Sequence, residues 1–332
     1  MIHPIPPGTR DILPDEMREL REVQATLTGV FERYGYGHVA TPTLEYDEVL
    51  QRGEGRSSVG AYRFFDERGE LLALRSDMTI PIARLVATRF GDAEPPLRFC
   101  YIGNAYRTVR PQRAQVRQFM HAGIELIGAE APEGTAEVLE VMSASLDAVG
   151  LHRAVLGLGD ADLFRQLLTE LGVEGEVRGR ILDRLAEHNL VGLEAEVDTV
   201  EGLDAHGRET LLRLPGLRGG AEVLDQAREL GGAAVERAAE RLQATYDALE
   251  ERGVAGRVQL DLGLLRDLGY YTGAIVEIYD PALGHILGGG GRYDDLLGRF
   301  GRPMPAAGFG LYLERLHLAQ MEEERLAKEA KR

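Results

Sequence analysis

The chain has 332 residues, 44% hydrophobic and 28% charged, which are the proportions of an ordinary globular protein with length for one large domain or two. Its 54 acidic and 38 basic residues leave a formal charge of −16, which argues against a broad nucleic-acid or anionic-membrane surface while leaving room for a local basic cleft. No apolar run approaches the roughly 18 residues that span a bilayer, and Met1-Ile-His-Pro-Ile-Pro-Pro7 lacks the leader of a signal peptide, so a cytoplasmic protein is expected.

Pro14-Asp15-Glu16 opens a helix, with proline in the first turn and acids at the positive end of the dipole. Met17, Leu20, Val23, Leu27, Phe31 and Tyr34 give it one apolar face, and Gly35 and Gly37 end it. His38 to Leu44 reads as a strand. Tyr62 to Phe65 and Leu71 to Leu74 flank an Asp-Glu-Arg-Gly turn and predict a hairpin. Ile80 to Arg89 has helical spacing. Strands are expected over Leu97–Tyr106 and Val116–Ile127. The single cysteine, Cys100, sits inside the first of these, excludes an intrachain disulfide, fits a reducing compartment and reads as a buried structural thiol. Between the two strands lies Arg107 to Gln115, with three arginines in an acidic protein; the reading is an anion site, against the plainer one of a solvated loop.

A helix follows over Pro132–Val149, a strand over Ala154–Leu158, and then an almost wholly helical stretch from Asp160 to Arg252, with Gly253 as its C-cap. Val258, Leu260 and Leu262 alternate as a strand. Arg266-Asp-Leu-Gly-Tyr-Tyr-Thr-Gly273 then brings an arginine, two tyrosines and a backbone turn together, ahead of the strand Ala274–Tyr279 and the glycine run Gly288–Gly291. Arginine suits a carboxylate or phosphate, and paired tyrosines entering a strand would face opposite sides, one packed and one lining a pocket. A last strand, Ala306–Leu311, leads into a helix bearing Glu314 and Arg315, and the charged end from Met321 is expected to fray. Strands, a helical stretch and further strands imply an α+β fold around a mostly antiparallel sheet. No Walker loop, Rossmann context, nucleophile elbow or metal-ligand spacing is present.

Several blocks carry a resemblance. Gly8-Thr-Arg-Asp-Ile-Leu-Pro14 with Gly35-Tyr-Gly to Thr41-Pro is similar to motif 1 of the class II aminoacyl-tRNA synthetases, a dimer-interface element in that family. Tyr106-Arg-Thr-Val-Arg-Pro-Gln to Arg117-Gln-Phe119, with Gly123-Ile-Glu125, is similar to motif 2, and Ala307 to Leu316 to motif 3. Arg266 to Thr272 and Gly290-Gly-Arg-Tyr-Asp294 resemble blocks specific to histidyl-tRNA synthetase. The resemblance covers nearly the whole chain. It implies a class II synthetase-like core over 1–130 and 256–320, a largely helical insertion over 131–255, and a charged C-terminal tail over 321–332.

The departures decide what the resemblance implies. Only 17 residues follow Arg315 (332 minus 315), so an anticodon-binding domain is expected to be missing. Val109 stands where motif 2 has an acid and Gln115 where it has a basic residue, each removing an ATP contact. Tyr312 stands where motif 3 has a small residue, and its ring is expected to fill adenylate space. The amino-acid side looks intact. The resemblance places Asp77, Thr79 and Glu125 at a ligand's α-amino group, and Arg266, Tyr270 and Tyr271 as histidine-recognition residues. Arg107 and His121, the latter in place of a glutamine, join them.

Leu74-Arg-Ser-Asp-Met-Thr79 is more similar to the regulatory branch of the family, the regulatory subunits of ATP phosphoribosyltransferase. That branch implies no catalysis and no cofactor, free histidine as ligand, a homodimer within a hetero-oligomer, and a short catalytic subunit as partner in histidine biosynthesis. The alternatives are a truncated enzyme that adenylates an amino acid, kept open by Arg107 and Arg315, and an amino-acid or tRNA sensor, with tRNA disfavoured by the acidic balance.

Overall fold

The computed structural model describes residues 5–54, 60–108, 116–266 and 269–329. In chain order these form α1 (Pro14–Arg33), β1 (Gly37–His38), β2 (Leu44–Tyr46), α2 (Asp47–Glu54), β3 (Arg63–Phe65), β4 (Leu71–Leu74), α3 (Thr79–Arg89), β5 (Leu97–Tyr106) and β6 (Gln118–Ile127). Next come α4 (Glu133–Ala148), β7 (Val155–Asp160), α5 (Leu163–Glu170), α6 (Gly175–Ala186), α7 (Leu190–Val197), α8 (Ala205–Arg213), β8 (Arg218–Gly219), α9 (Glu222–Leu230) and α10 (Ala233–Glu251). The chain closes with β9 (Val258–Asp261), β10 (Ala274–Tyr279), β11 (Ile286–Arg292), β12 (Ala306–Tyr312) and α11 (Leu313–Glu329).

A nine-stranded sheet in the order β1-β5-β6-β12-β11-β10-β7-β9-β8 forms the centre, and β2-β4-β3 make a separate three-stranded sheet. Its ladders are antiparallel except β1 with β5 and β7 with β9. The fold is thus the α+β, mostly antiparallel architecture expected. Strand alternation divides the core in two. From β6, Ala122, Ile124 and Leu126 enter a cluster with the buried face of α1 (Leu20, Val23, Leu27, Val30, Phe31) and with α4. On the other face, Phe99 and Tyr101 of β5 join Met78, Ile80, Tyr270, Tyr271 and Tyr293. The 131–255 stretch begins with α4 and β7, which join these layers, and continues as the helices α5 to α10 around the two-residue β8.

Three local expectations change. The strand expected over His38–Leu44 is broken, because Pro42 has no N–H to give to a ladder. The carbonyls of Thr41 and Pro42 instead accept bonds from the buried Arg75 guanidinium. The charged end does not fray before Glu329: Arg325 pairs with Glu322 and Glu329, and Lys328 with Glu324, at helical spacings. Tyr270 and Tyr271 do not take opposite faces. They precede β10 in a turn closed by Gly273 at φ +67°, where strand alternation does not operate, and their rings lie 5.0 Å apart in one cluster.

Candidate functional site

The pairing register builds the floor of the site. Opposite one another on the face away from α1 stand Glu125 and Gly308, Gly123 and Gly310, and His121 and Tyr312, across β6 and β12. Beyond them, Gly291 pairs with Gly308 and Gly289 with Gly310, and Glu277 of β10 pairs with Gly289. The glycine run Gly288–Gly291 is therefore the body of a central strand, β11. Side chains are excluded from it sterically: a Cβ on Gly289 would strike the Arg266 guanidinium and the Val276 carbonyl, and one on Gly308 would strike the Glu125 carboxylate. Removing side chains from this floor lets a charged group lie directly on the sheet.

At one end of the floor a buried carboxyl, Glu125, and a half-buried one, Asp77, meet a set of hydroxyls. Thr79 donates to Glu125 Oε1 at 2.7 Å, and Tyr293 donates to Glu125 Oε2. Burial lifts the Glu125 carboxyl to about 8 despite those two donors. Asp77 Oδ1 accepts the Ile80 N–H at the start of α3, and Oδ2 accepts the Tyr270 hydroxyl at 3.2 Å. Burial raises this carboxyl too, to about 6. Arg266 lies over the floor with Nε 3.6 Å from Glu277 and its guanidinium carbon 5.8 Å from the Tyr271 ring centre. Burial pushes its ionisation down, but Tyr271 and Glu277 outweigh it and hold the cation. A cavity of about 440 Å³ opens beside Arg266, between Arg165 of α5 and Arg299. A larger groove lies elsewhere, between α1 and α11, away from these groups.

At the other end, Arg107 donates to the Tyr312 hydroxyl at 3.0 Å and lies 4.2 Å from the Phe119 ring centre. Arg315 covers the Tyr312 ring at 4.3 Å and donates to the Ile286 carbonyl. The His121 ring stands 4.5 Å from that of Tyr312. Burial, with the cations Arg107, Arg266 and Arg315, drives the His121 imidazole down to about 3, so it is neutral, and its buried Nε2 has no partner. Val109 and Gln115 lie outside the described residues.

All eight residues singled out from sequence lie along this one floor. Chemically, two carboxyls at one end and a guanidinium nearby suit a small zwitterion. Among the described residues no group of three or more His, Cys, Asp or Glu side chains could hold a metal ion, and no helix is long and apolar enough to cross a membrane.

The model of the histidyl-tRNA synthetase family matches residues 8–316. An ATP phosphoribosyltransferase regulatory subunit from Moorella thermoacetica is 41% identical over 96% of this chain and 82% of its own length. One from Symbiobacterium thermophilum is 39% identical over 98% of this chain and 82% of its own. The chain belongs to the histidyl-tRNA synthetase-like family of ATP phosphoribosyltransferase regulatory subunits. A solved ATP phosphoribosyltransferase regulatory subunit/histidyl-tRNA synthetase from Bacillus halodurans superposes with a TM-score of 0.88 at 33% identity, covering 96% of this chain and 84% of the other. A histidine–tRNA ligase subunit from Alicyclobacillus acidocaldarius gives 0.83 at 28% identity over 98% and 99%.

In this regulatory-subunit family member, sequence reasoning missed three members of the site. Tyr293 had been noted only as part of a block, although a tyrosine two residues after a glycine run was the available signal. Glu277 alternates inside an apolar strand, Ala274–Tyr279, where a lone acid marks a buried partner for a cation. Phe119 was quoted in the motif 2-like block without its role as a stacking surface for Arg107.

Proposed function

We propose that this chain is the non-catalytic regulatory subunit that a short ATP phosphoribosyltransferase catalytic subunit requires for activity, and that it binds free histidine as the feedback signal of histidine biosynthesis. Asp77 and Glu125 would take the ammonium and Arg266 the carboxylate, both as charge-assisted bonds. Tyr270 and Tyr271 would pack on the imidazole, with Thr79, Arg107 and His121 completing the enclosure. The names of the relatives support the regulatory role. The observation that carries the lack of catalysis is the Tyr312 ring, which occupies the space between Arg107 and Arg315. Feedback then works by linkage: histidine must favour one assembly state, with a coupling of roughly 1–3 kcal/mol being usual.

The reading further includes a cytoplasmic location and a homodimer inside the hetero-oligomer. The apolar face of α1 is spent inside the chain, with Leu20, Leu27 and Phe31 fully buried, so the dimer contact has to come from other surfaces of the motif 1-like region. The decisive experiment is reconstitution. A short catalytic subunit should gain ATP phosphoribosyltransferase activity on adding this chain and lose it on adding histidine. Activity independent of this chain would end the reading.

A second reading is an amino-acid-adenylating enzyme, favoured by Arg107 and Arg315 facing one another across the same space. Histidine-dependent ATP–pyrophosphate exchange by the isolated chain would establish it.

A further inference from the structure

The helices α5 to α10 lie outside the glycine floor, yet the head of α5 reaches the back of the turn that carries Tyr270 and Tyr271. Arg165 of α5 donates from Nη1 to the Tyr271 carbonyl at 3.3 Å. The Gly273 N–H donates to Asp162 Oδ2, also at 3.3 Å, and the Gly273 carbonyl accepts the Ala161 N–H at 2.7 Å. This segment is itself anchored. The Asp162 N–H donates to Asp160 Oδ1 at 3.0 Å, and the fully buried Asp160 carboxylate takes both arms of the Arg241 guanidinium of α10, at 2.8 and 2.9 Å. A two-armed pair of this kind fixes orientation as well as distance.

The two tyrosines of the turn are held differently. The Tyr270 hydroxyl is tied to Asp77. The Tyr271 ring touches the Tyr270 ring and the Arg266 guanidinium, but its hydroxyl has no hydrogen bond among the described residues. The place of that ring therefore follows from its backbone, whose nearest polar groups go to Ala161, Asp162 and Arg165. The plainer account of Arg165 and Asp162 is a surface ion pair, each side chain being about one-third exposed. Their separation is 4.0 Å, beyond a hydrogen bond, whereas each reaches the turn at 3.3 Å. Resting on the histidine-binding reading above, we propose that Arg165 and Asp162 are positioning residues for ligand selectivity. From the head of the helical stretch they set where the Tyr271 ring stands against the imidazole, without touching the ligand. Displacing such a ring by more than about 0.5 Å spoils its fit to one ligand shape while leaving an apolar wall in place.

Calorimetry on the full chain tests this with histidine and with histidine methylated on either ring nitrogen. Arg165→Met and Asp162→Ala change part-exposed side chains, and thermal unfolding checks that the fold survives. Each should weaken histidine at least fivefold and the methylated ligands less, so that discrimination narrows at least threefold. Arg165→Lys keeps a donor for the Tyr271 carbonyl and Asp162→Asn keeps an oxygen for the Gly273 N–H. Both should return every affinity to within twofold of wild type. Wild-type affinities in Arg165→Met and Asp162→Ala would overturn the assignment, as would equal losses for all ligands or a failure of the conservative variants to rescue. Should one variant unfold, the other decides; unfolding of both would show contacts that hold the fold rather than the ligand, and would overturn it too. If the wild type binds no histidine, the histidine-binding reading falls and takes this inference with it.

Discussion

The Arg107 guanidinium donates to the Tyr312 hydroxyl at 3.0 Å, and on the same ring Arg315 rests at 4.3 Å. Two cations that could hold a polyphosphate are instead joined by a side chain of the same protein. Burial would raise the ionisation of that phenol, yet Arg107, Arg266 and Arg315 bring it below the ordinary tyrosine value. Tyr312→Ala removes the ring and frees both cations. It is expected to bind ATP roughly tenfold more tightly than the wild type, about 1.4 kcal/mol and within what cation–π contacts supply. Calorimetry with ATP reads this directly; equal affinities would mean that the ring blocks nothing.

The isolated wild type should show no histidine-dependent ATP–pyrophosphate exchange above background. Tyr312 motivates this expectation structurally, and Val109 and Gln115 motivate it from sequence.

Histidine affinity should depend unequally on the site residues. Asp77→Ala leaves a buried ammonium short of a partner and should cost about 2–5 kcal/mol. Tyr271→Phe removes one neutral hydroxyl and should cost about 0.5–1.5 kcal/mol. Titration of both variants, alone and with the catalytic subunit, orders them. If Asp77→Ala binds as the wild type does, histidine binds elsewhere.

A proton should accompany the ligand. In the unliganded chain Glu125 titrates at about 8 and Asp77 at about 6, both above their ordinary values. An arriving ammonium favours the ionised carboxylates, so binding releases protons near neutrality and affinity rises between about pH 6 and 8, by at most about tenfold per unit for one proton. The sign for stability is opposite. A raised carboxyl means the folded state holds more protons than the unfolded one, so the unliganded chain loses stability as pH climbs from the ordinary carboxylate range through about 8. Calorimetry in buffers of different ionisation enthalpy measures the release, and Glu125→Gln should abolish the difference from wild type that belongs to this group.

Gly308 is small because Glu125 lies over it. Gly308→Ala should displace that carboxylate and weaken histidine binding at least tenfold, with an overpacking cost of about 1–3 kcal/mol in thermal or chemical unfolding. Unchanged affinity in a folded Gly308→Ala chain would remove Glu125 from the ligand contacts.

The amphipathic helix Met17 to Tyr34, the hairpin around Asp66 and the strands on either side of Arg107 were legible because their periodicity is local. The site residues Arg266, Tyr270 and Tyr271 were legible through their clustering and the family blocks. What the chain order hid was long-range register. Nothing near Gly289 in sequence announces that Arg266 will lie on it, and nothing near Tyr312 announces Arg107, 205 positions away. The same applies to Glu277, whose partner becomes evident only when β10 pairs with β11. The break at Pro42 was misread for a different reason: β propensity counts side chains, whereas the lost ladder bond is a property of the backbone.

β12 touches both ends of the site, with Gly308 beneath Glu125 and Tyr312 between the arginines, and it runs without a break into α11. That helix of 17 residues is a rod of about 25 Å. Its first turn carries Arg315, and its later turns carry Glu323 and Glu324 into the groove. A helix this long, joined to the strand without a loop, fixes the groove's position relative to the sheet. The sheet end of the site and the outer groove therefore belong to one unbroken run of backbone.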